Sequence, residues 1–418
     1  MSAVLPRHVA WTVALVATLT MTVSYIDRSA LAVLAPTVTK ALDISDTQYG
    51  WLMSAFSIAY LVATPISGWW IDRVGARRGL VRSILVWTTV TALHALVPGF
   101  GVLFVLRIAL GLAEGPSFPG AAQTMQRVLP AAEQSRGFGV LFTGSSIGGM
   151  LAPPLASYLY GISDSWRVAL LGSSLVGLAW IPLWLVVTRR ADVRPVLDVG
   201  TTAARSDVTT VPTATVTREP PGARPAFIDV ATHPNMLRAL AAIVSVAPII
   251  GFGLMWGAKY LARVYGVEQK AVGHYLWLPP LIYDLASITF GDLASRQRRP
   301  PGAPPRLLFA IGVLLATTLV ALPYATTTWQ TVTLIGIAMA GGGIVYALVT
   351  SDLLSRVPPT SVSLAGGTVA GAQSLALIIA NPLIGASVDH SHGFITAVTV
   401  LGIWVLPGTL YWLLRRPV

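Results

Sequence analysis

The sequence predicts an all-α integral membrane protein of twelve transmembrane helices in two six-helix bundles, and three observations lead there. Apolar residues make up 54% of the 418 positions and charged ones only 11%, whereas a soluble chain carries about a quarter charged residues. The apolar residues fall in blocks of about 20 or more, the length a helix needs to cross a bilayer. One polar tract divides those blocks six and six. A mean hydropathy of +0.69 agrees with this class.

The first block, 10–38, follows Arg7 and His8 as the core of a signal peptide would. No small-residue cleavage site interrupts it and many blocks follow, so it reads as an uncleaved first helix. The rest of the first half supplies spans over 48–70, 78–97, 101–128, 135–161 and 166–189. Between the halves lies "ADVRPVLDVGTTAARSDVTTVPTATVTREPPGARP", rich in Thr, Pro and charge and without apolar periodicity, which reads as a flexible linker. The second half supplies 237–265, 271–296, 306–324, 329–355, 361–388 and 394–414. The organisation is therefore a bundle at 1–190, a cytoplasmic linker at 191–235 and a second bundle at 236–418.

Charge sets the expected orientation. With both termini in the cytoplasm, 21 of the 28 Lys and Arg fall on the inside, four outside (Lys40, Arg167, Arg263, Lys270) and three within spans. That bias follows the positive-inside rule, so both termini face the cytoplasm; the expected location is the cell (inner) membrane. It also explains the net charge of +11 and the pI of 10.2 with no nucleic-acid partner. With no cysteine there is neither a disulfide framework nor thiolate chemistry. The six histidines are scattered without ligand spacing, and no Walker-type loop is present. Neither metal, cofactor nor ATP is expected, and the chain does not read as an enzyme. A monomer is expected.

The loop between the second and third spans reads "GWWIDRVGARRG". Gly68 and Gly75 permit a tight turn and close helix approach, and Arg73, Arg77 and Arg78 surround Asp72. Asp72 either pairs with those arginines or sits at a helix N-terminus, where a negative charge is stabilised by about 0.3–1 kcal/mol. The matching loop of the second half, "GDLASRQRRP", keeps a weaker version of the layout. A repeated half with a repeated loop indicates a two-bundle transporter.

On these residues the chain resembles the major facilitator superfamily: Gly-x-x-x-Asp-Arg-x-Gly-x-Arg-Arg at 68–78, twelve spans and a central linker. "YIDRSALAVLAP" in the first span and "RIALGLAEGPSFPG" in the fourth are similar to its anion:cation symporter branch. That branch includes importers of hexuronate, galactonate and glucarate, and vesicular glutamate and sialic acid carriers. "PAAEQSRGFG", "SWR" at 165–167, "KYL" at 259–261 and "WLPPLIYDLASITFGD" also fit. The chain departs from the branch in three places. Ser24 stands where Asn is usual, no aromatic lies near Arg127, and "MWGAKYL" lacks a proline before the lysine. No proline precedes Gly148-Gly149 in the fifth span either, unlike drug-exporting antiporters of the superfamily.

Six charges fall near the middle of their spans: Asp27, Arg28, Arg107, Glu114, Lys259 and Asp284. A charge at the bilayer centre costs about 2.5–3.5 kcal/mol on insertion scales, so such groups face the bundle interior. Three are acids and three are bases, so the set is neutral overall. Asp27 and Arg28 lie about 100° apart around a helix and cannot face one point; Arg107 and Glu114, seven apart, share a face. The plain alternative for each is a structural ion pair.

A guanidinium presents a planar fork to two carboxylate oxygens. The resemblance implies that Arg28 clamps a substrate carboxylate, with Arg107 supporting it or pairing with Glu114. It implies that Asp27 and Glu114 carry protons. Tyr25 and Tyr60 match positions that bond substrate hydroxyls, and packing serves equally well for either. Lys259 and Asp284 either line the second-half wall, Lys259 as a substrate contact and Asp284 as a further proton-coupling acid, or pair with each other. Gln373 and Asn381 in the eleventh span are further candidates for substrate contact. The sequence thus predicts proton-coupled uptake of a small organic anion, a sugar acid or related carboxylate, by alternating access. An anion exchanger or proton-coupled exporter of the same fold, or a non-transporting sensor, are the alternatives.

Overall fold

A computed structural model describes residues 5–198, 227–297, 303–357 and 362–415, and every element among them is helical. Residues 199–226 of the linker predicted over 191–235 lie outside the described residues, as do Arg298 and Arg299. Among the described residues, eleven helices or near-continuous helix pairs are long and apolar enough to cross a membrane. The eighth predicted span, 271–296, is a broken pair: α13 (Gln269–Leu276) and α14 (Leu278–Arg296), with Pro279 and Pro280 following the break. Proline has no N–H to donate and is tolerated in a helix's first turn, so a new helix begins there.

The chain divides into two compact units. Unit 1 comprises Met1–Ile44, Ala55–Pro212 and Val267–Trp277. Its helices are α1 (Arg7–Val33), α2 (Ala35–Ala41), most of α3 (Asp46–Val74), α4 (Ala76–Leu93), α5 (Phe100–Glu114) and α6 (Ser117–Val128). They are followed by α7 (Ala131–Ser163), α8 (Trp166–Thr188), α9 (Val193–Asp198) and the later α13. The 27 residues of α1 span about 40 Å, more than the ~30 Å hydrocarbon core. This helix is the axis of the unit, packed by α6, α7 and α8. Gly144 and Gly148 allow α7 to approach: a Cβ at either would lie 2.6 Å from the Thr18 carbonyl oxygen or 2.5 Å from that of Thr22. Small residues at such a crossing are the usual route to close packing in lipid.

Unit 2 comprises Ser45–Ser54, Thr213–Gly266 and Leu278–Val418. Its helices are the first turns of α3, then α10 (Phe227–Ala231), α11 (Pro234–Gly251), α12 (Gly257–Tyr265), α14, α15 (Arg306–Thr317), α16 (Thr328–Leu354), α17 (Val362–Ser391) and α18 (Ile395–Leu414). A π-turn at Phe252–Trp256 joins α11 to α12, four residues after Pro248. The sequence lacks the proline expected just before Lys259; the π-turn supplies the helix distortion there instead. α11 packs on α16, α17 and α18, and α16 on α14 and α15. At one end Arg238 donates through Nε to the Trp412 carbonyl (2.8 Å) and pairs with Asp352 (3.3 Å), which also holds Arg356 (2.6 Å).

Large apolar side chains such as Ile66, Val105, Val186, Ile288, Leu314 and Leu383 are exposed, while Asp27, Arg107 and Glu114 are buried. That inversion of the soluble pattern is what a lipid environment requires.

Candidate functional site

Unit 1 carries a compact charged centre contributed by α1 and α5. Arg28 donates from Nε (3.1 Å) and from Nη2 (2.8 Å) to the same Glu114 oxygen, Oε2. Ser24, one turn before Arg28, completes the knot: its hydroxyl donates to Glu114 Oε2 (2.7 Å) and accepts from Arg28 Nη2 (2.8 Å). Serine is short enough to fit between the two, so the departure at position 24 has a direct role in the centre.

The Arg28 guanidinium is held in an aromatic enclosure, with ring centroids of Tyr25, Tyr60 and Phe56 at 4.4, 4.8 and 5.1 Å. Phe56 and Tyr60 stack on each other one turn apart on α3. A cation over such faces gains about 0.5–2 kcal/mol and is fixed in direction. The Arg28 side chain retains 17% exposure, whereas Glu114 is sealed. Arg107 is also buried, its guanidinium 4.7 Å from the centroid of the Phe56 ring. Phe56 thus lies near both guanidinium groups, and Arg28 is the one that keeps some exposure.

Asp27 points elsewhere, as the ~100° offset demands. It is 2% exposed, and neither carboxyl oxygen has a hydrogen-bond partner among the described residues. The Trp87 indole lies beside it without completing a hydrogen bond. An ionised carboxylate in such a place costs several kcal/mol unless a partner is found.

The second-half candidates lie in unit 2 and are differently engaged. Lys259 Nζ pairs with Asp46 at 2.5 Å, and Arg263 holds the other Asp46 oxygen at 2.7 Å. Asp389 caps the same turn of α3, accepting from the Asp46 and Thr47 amides and the Thr47 hydroxyl. Asn381 is buried and accepts from the Trp256 indole at 3.1 Å. Gln373 on α17 and Asp284 on α14 are half-buried.

The glycine-arginine loop is a joint around α4's N-terminus. Gly75 has φ +83°, a conformation that favours glycine, and a Cβ there would lie 2.6 Å from the Leu197 carbonyl oxygen. Asp72 accepts from Gln123 Nε2 (2.7 Å), while Gln123 Oε1 accepts from the Ala76 amide (3.0 Å). Of the two roles foreseen for Asp72, the helix N-terminus is thus served through Gln123. Arg77 and Arg78 meet Asp198 at 3.4 and 3.8 Å, and Arg73 stacks on Trp69. Gly68 leaves α3 close to Pro119 of α6. The beginning of the linker is therefore helical: α9 docks on this loop through buried Val193 and Leu197. Just before it, outside the spans, the Arg190 guanidinium holds the Asp192 carboxyl below its ordinary range.

Sequence reasoning missed Ser24, Phe56, Asp46 and Gln123. The first two had a signal, their i, i+4 spacing to Arg28 and Tyr60; Asp46 and Gln123 acquire roles only through tertiary contacts.

Comparison with known proteins completes the picture. A hexuronate transporter of Escherichia coli K12 is 27% identical over 414 residues, covering 96% of this chain and 92% of that one. A D-galactonate transporter of E. coli O6:H1 is 24% identical over 409 residues, with 95% and 93% covered. A galacturonate transporter of Dickeya chrysanthemi is 29% identical over 267 residues, with 64% and 76% covered. Among solved structures, a bacterial homolog of the human lysosomal transporter Spinster, inward-facing and unoccupied, shares the fold at a TM-score of 0.81. Its identity is 17%, with 98% of this chain and 97% of that one covered. The Major Facilitator Superfamily model matches residues 17–381, and the chain belongs to that superfamily, as a multi-span membrane transporter and not an enzyme.

Proposed function

We propose that this protein carries a small organic anion, a sugar acid, together with protons into the cell. The observation that supports this most is the Arg28 fork, caged by three aromatic rings, partly accessible, and occupied by Glu114. A substrate carboxylate is the chemical equal of the Glu114 carboxylate and competes for the same two N–H groups. When the anion takes the fork, Glu114 loses its cation inside a sealed site and takes a proton. Asp27, without a partner, holds a proton until its surroundings rearrange. Anion binding and proton binding are linked because both act on one neutral cluster. Hydroxyls of the sugar acid meet Tyr25 and Tyr60, consistent with the hexuronate, galacturonate and galactonate named for the relatives.

The cycle alternates access about this midplane site in the manner of transporters built from repeats. Both termini face the cytoplasm, on the Lys and Arg bias, and the location is the bacterial inner membrane, where these relatives' class operates. The protein works as a monomer.

The purified protein in detergent tests the substrate class. A ligand at 100 times its Kd stabilises the folded state by about 2.7 kcal/mol. Hexuronates and hexonates are expected to raise the unfolding temperature, with aromatic acids and short dicarboxylates weaker and neutral hexoses inert. Equal stabilisation by a neutral hexose would overturn the carboxylate assignment.

A further inference from the structure

α4 carries a line of buried polar groups with no part in the anion centre. Trp87, Thr91 and His94 stand at i, i+4 and i+7 and share a face, with Thr88 beside them. All four are at most 4% exposed. Trp87 Nε1, Thr88 Oγ1, Thr91 Oγ1 and His94 Nε2 make no hydrogen bond among the described residues. Thr20 of α1 is likewise buried without a hydrogen bond among the described residues, whereas Thr18, Thr39, Thr124 and Thr188 donate to the carbonyl four residues back at 2.7–3.1 Å. Thr88 and Thr91 do not, so their hydroxyls are directed sideways into the packing. His94 Nδ1 meets the Val90 carbonyl at 2.8 Å. That bond places the ring proton on Nδ1 and leaves Nε2 as a bare acceptor.

The line ends at Asp27. A Cβ on Gly177 would lie 2.4 Å from Thr88 Oγ1 and 3.5 Å from Val23 Cγ1, which brings α1 at Val23 against α4 at Thr88. Asp27 is one turn further along α1, where Trp87 lies beside it. The other end is His94, in the 3₁₀ turn that closes α4. From Trp87 to His94 is about 10 Å along the helix. The charged groups acting on Asp27 are Glu114 and Arg28, and the one acting on His94 is Arg107.

We propose that this face of α4 is the proton route to Asp27: a narrow hydrated file from His94 past Thr91 and Thr88 to the Trp87–Asp27 contact, separate from the Arg28–Glu114 fork that takes the anion. The proposal rests on the reading of Asp27 as a proton carrier. Hydroxyls and water both donate and accept, so a proton enters at one end as another leaves at the other and no atom is left charged between. His94 Nε2 accepts from water at the entrance. The Trp87 N–H donates to the carboxylate that deprotonation leaves behind. Buried waters require two to four polar partners each, and the four unpaired groups are partners of that kind. Under the orientation proposed above, α4 runs from the cytoplasmic side outward, so the His94 end faces the proton source for uptake.

The test uses the full chain in proteoliposomes, with D-glucuronate as the probe, and two apolar changes, the isosteric Thr91→Val and His94→Leu. Proton-driven initial uptake is expected to fall at least ten-fold in each. Counterflow exchange of the same sugar acid, which needs no proton release, stays within two-fold of the parent, and Thr91→Ser restores driven uptake. Unchanged driven uptake in both apolar variants overturns the route. So does a parallel loss of exchange, which marks a packing role. A second readout is independent of transport: the infrared C=O band that disappears in Asp27→Asn reports hydrogen–deuterium exchange at that carboxyl. Slower exchange in Thr91→Val supports the file, and an unchanged rate rejects it. If the parent shows no proton-driven uptake, coupling itself fails, while the infrared exchange rate still decides whether the file serves Asp27.

Discussion

Arg28→Lys is expected to bind the substrate anion about 10- to 150-fold more weakly than the parent, although the charge is kept. Nε and Nη2 of Arg28 converge on one oxygen of Glu114, with Tyr25, Phe56 and Tyr60 fixing the guanidinium plane. An ammonium reaches the same place with a point charge and no fork, and it loses the stacking on three rings. Loss of one charge-assisted hydrogen bond costs roughly 1.5–3 kcal/mol, which sets the range. The effect belongs to Arg28 rather than Arg107, which is buried beside the Phe56 ring. Titration calorimetry with the sugar acid found in the ligand screen measures it. Equal affinities in Arg28→Lys and the parent would remove Arg28 from the site.

Asp27→Asn and Glu114→Gln are each expected to abolish accumulation against a gradient, but through different steps. Glu114 competes with the substrate for Arg28, so Glu114→Gln removes the competitor. Binding is retained or tightened, and release becomes slow. Asp27 touches neither Arg28 nor Ser24 in the hydrogen-bonded knot. Asp27→Asn therefore keeps affinity near the parent's and loses only the link to the proton gradient. Parallel binding and uptake assays separate the two. If both neutral variants still concentrate the anion as well as the parent, coupling through these carboxyls is wrong.

The spans were legible because a bilayer imposes one rule, about 20 apolar residues per crossing, and the break at Trp277 fell inside a predicted span because apolarity does not report a kink. The separation of Asp27 from Arg28 followed from 100° per residue, and the two do diverge. What periodicity did not reveal is pairing across the fold. Arg107 and Glu114 share a face of α5, yet Glu114 is joined to Arg28 of α1, and Arg107 lies against Phe56 of α3. Lys259 reads from the sequence as a partner of Asp284 or of the substrate; it pairs instead with Asp46, at the start of α3, just before the predicted second span. Helix-to-helix register is a property of packed side chains, and one sequence does not disclose it. The rings of Tyr25 and Tyr60 lie against the arginine, a contact that neither reading of the tyrosines names.

Uptake of the sugar acid into proteoliposomes, with the pH gradient and the membrane potential imposed one at a time, tests the central claim of proton-coupled symport most directly. Two candidate carriers, Asp27 and Glu114, favour two protons per monovalent anion, so each cycle moves one net positive charge inward. A potential of 100 mV, inside negative, then contributes ~2.3 kcal/mol, close to a 50-fold accumulation. The predicted result is accumulation driven by either gradient alone. Uptake that ignores both gradients and requires an anion preloaded inside would contradict symport and identify an exchanger.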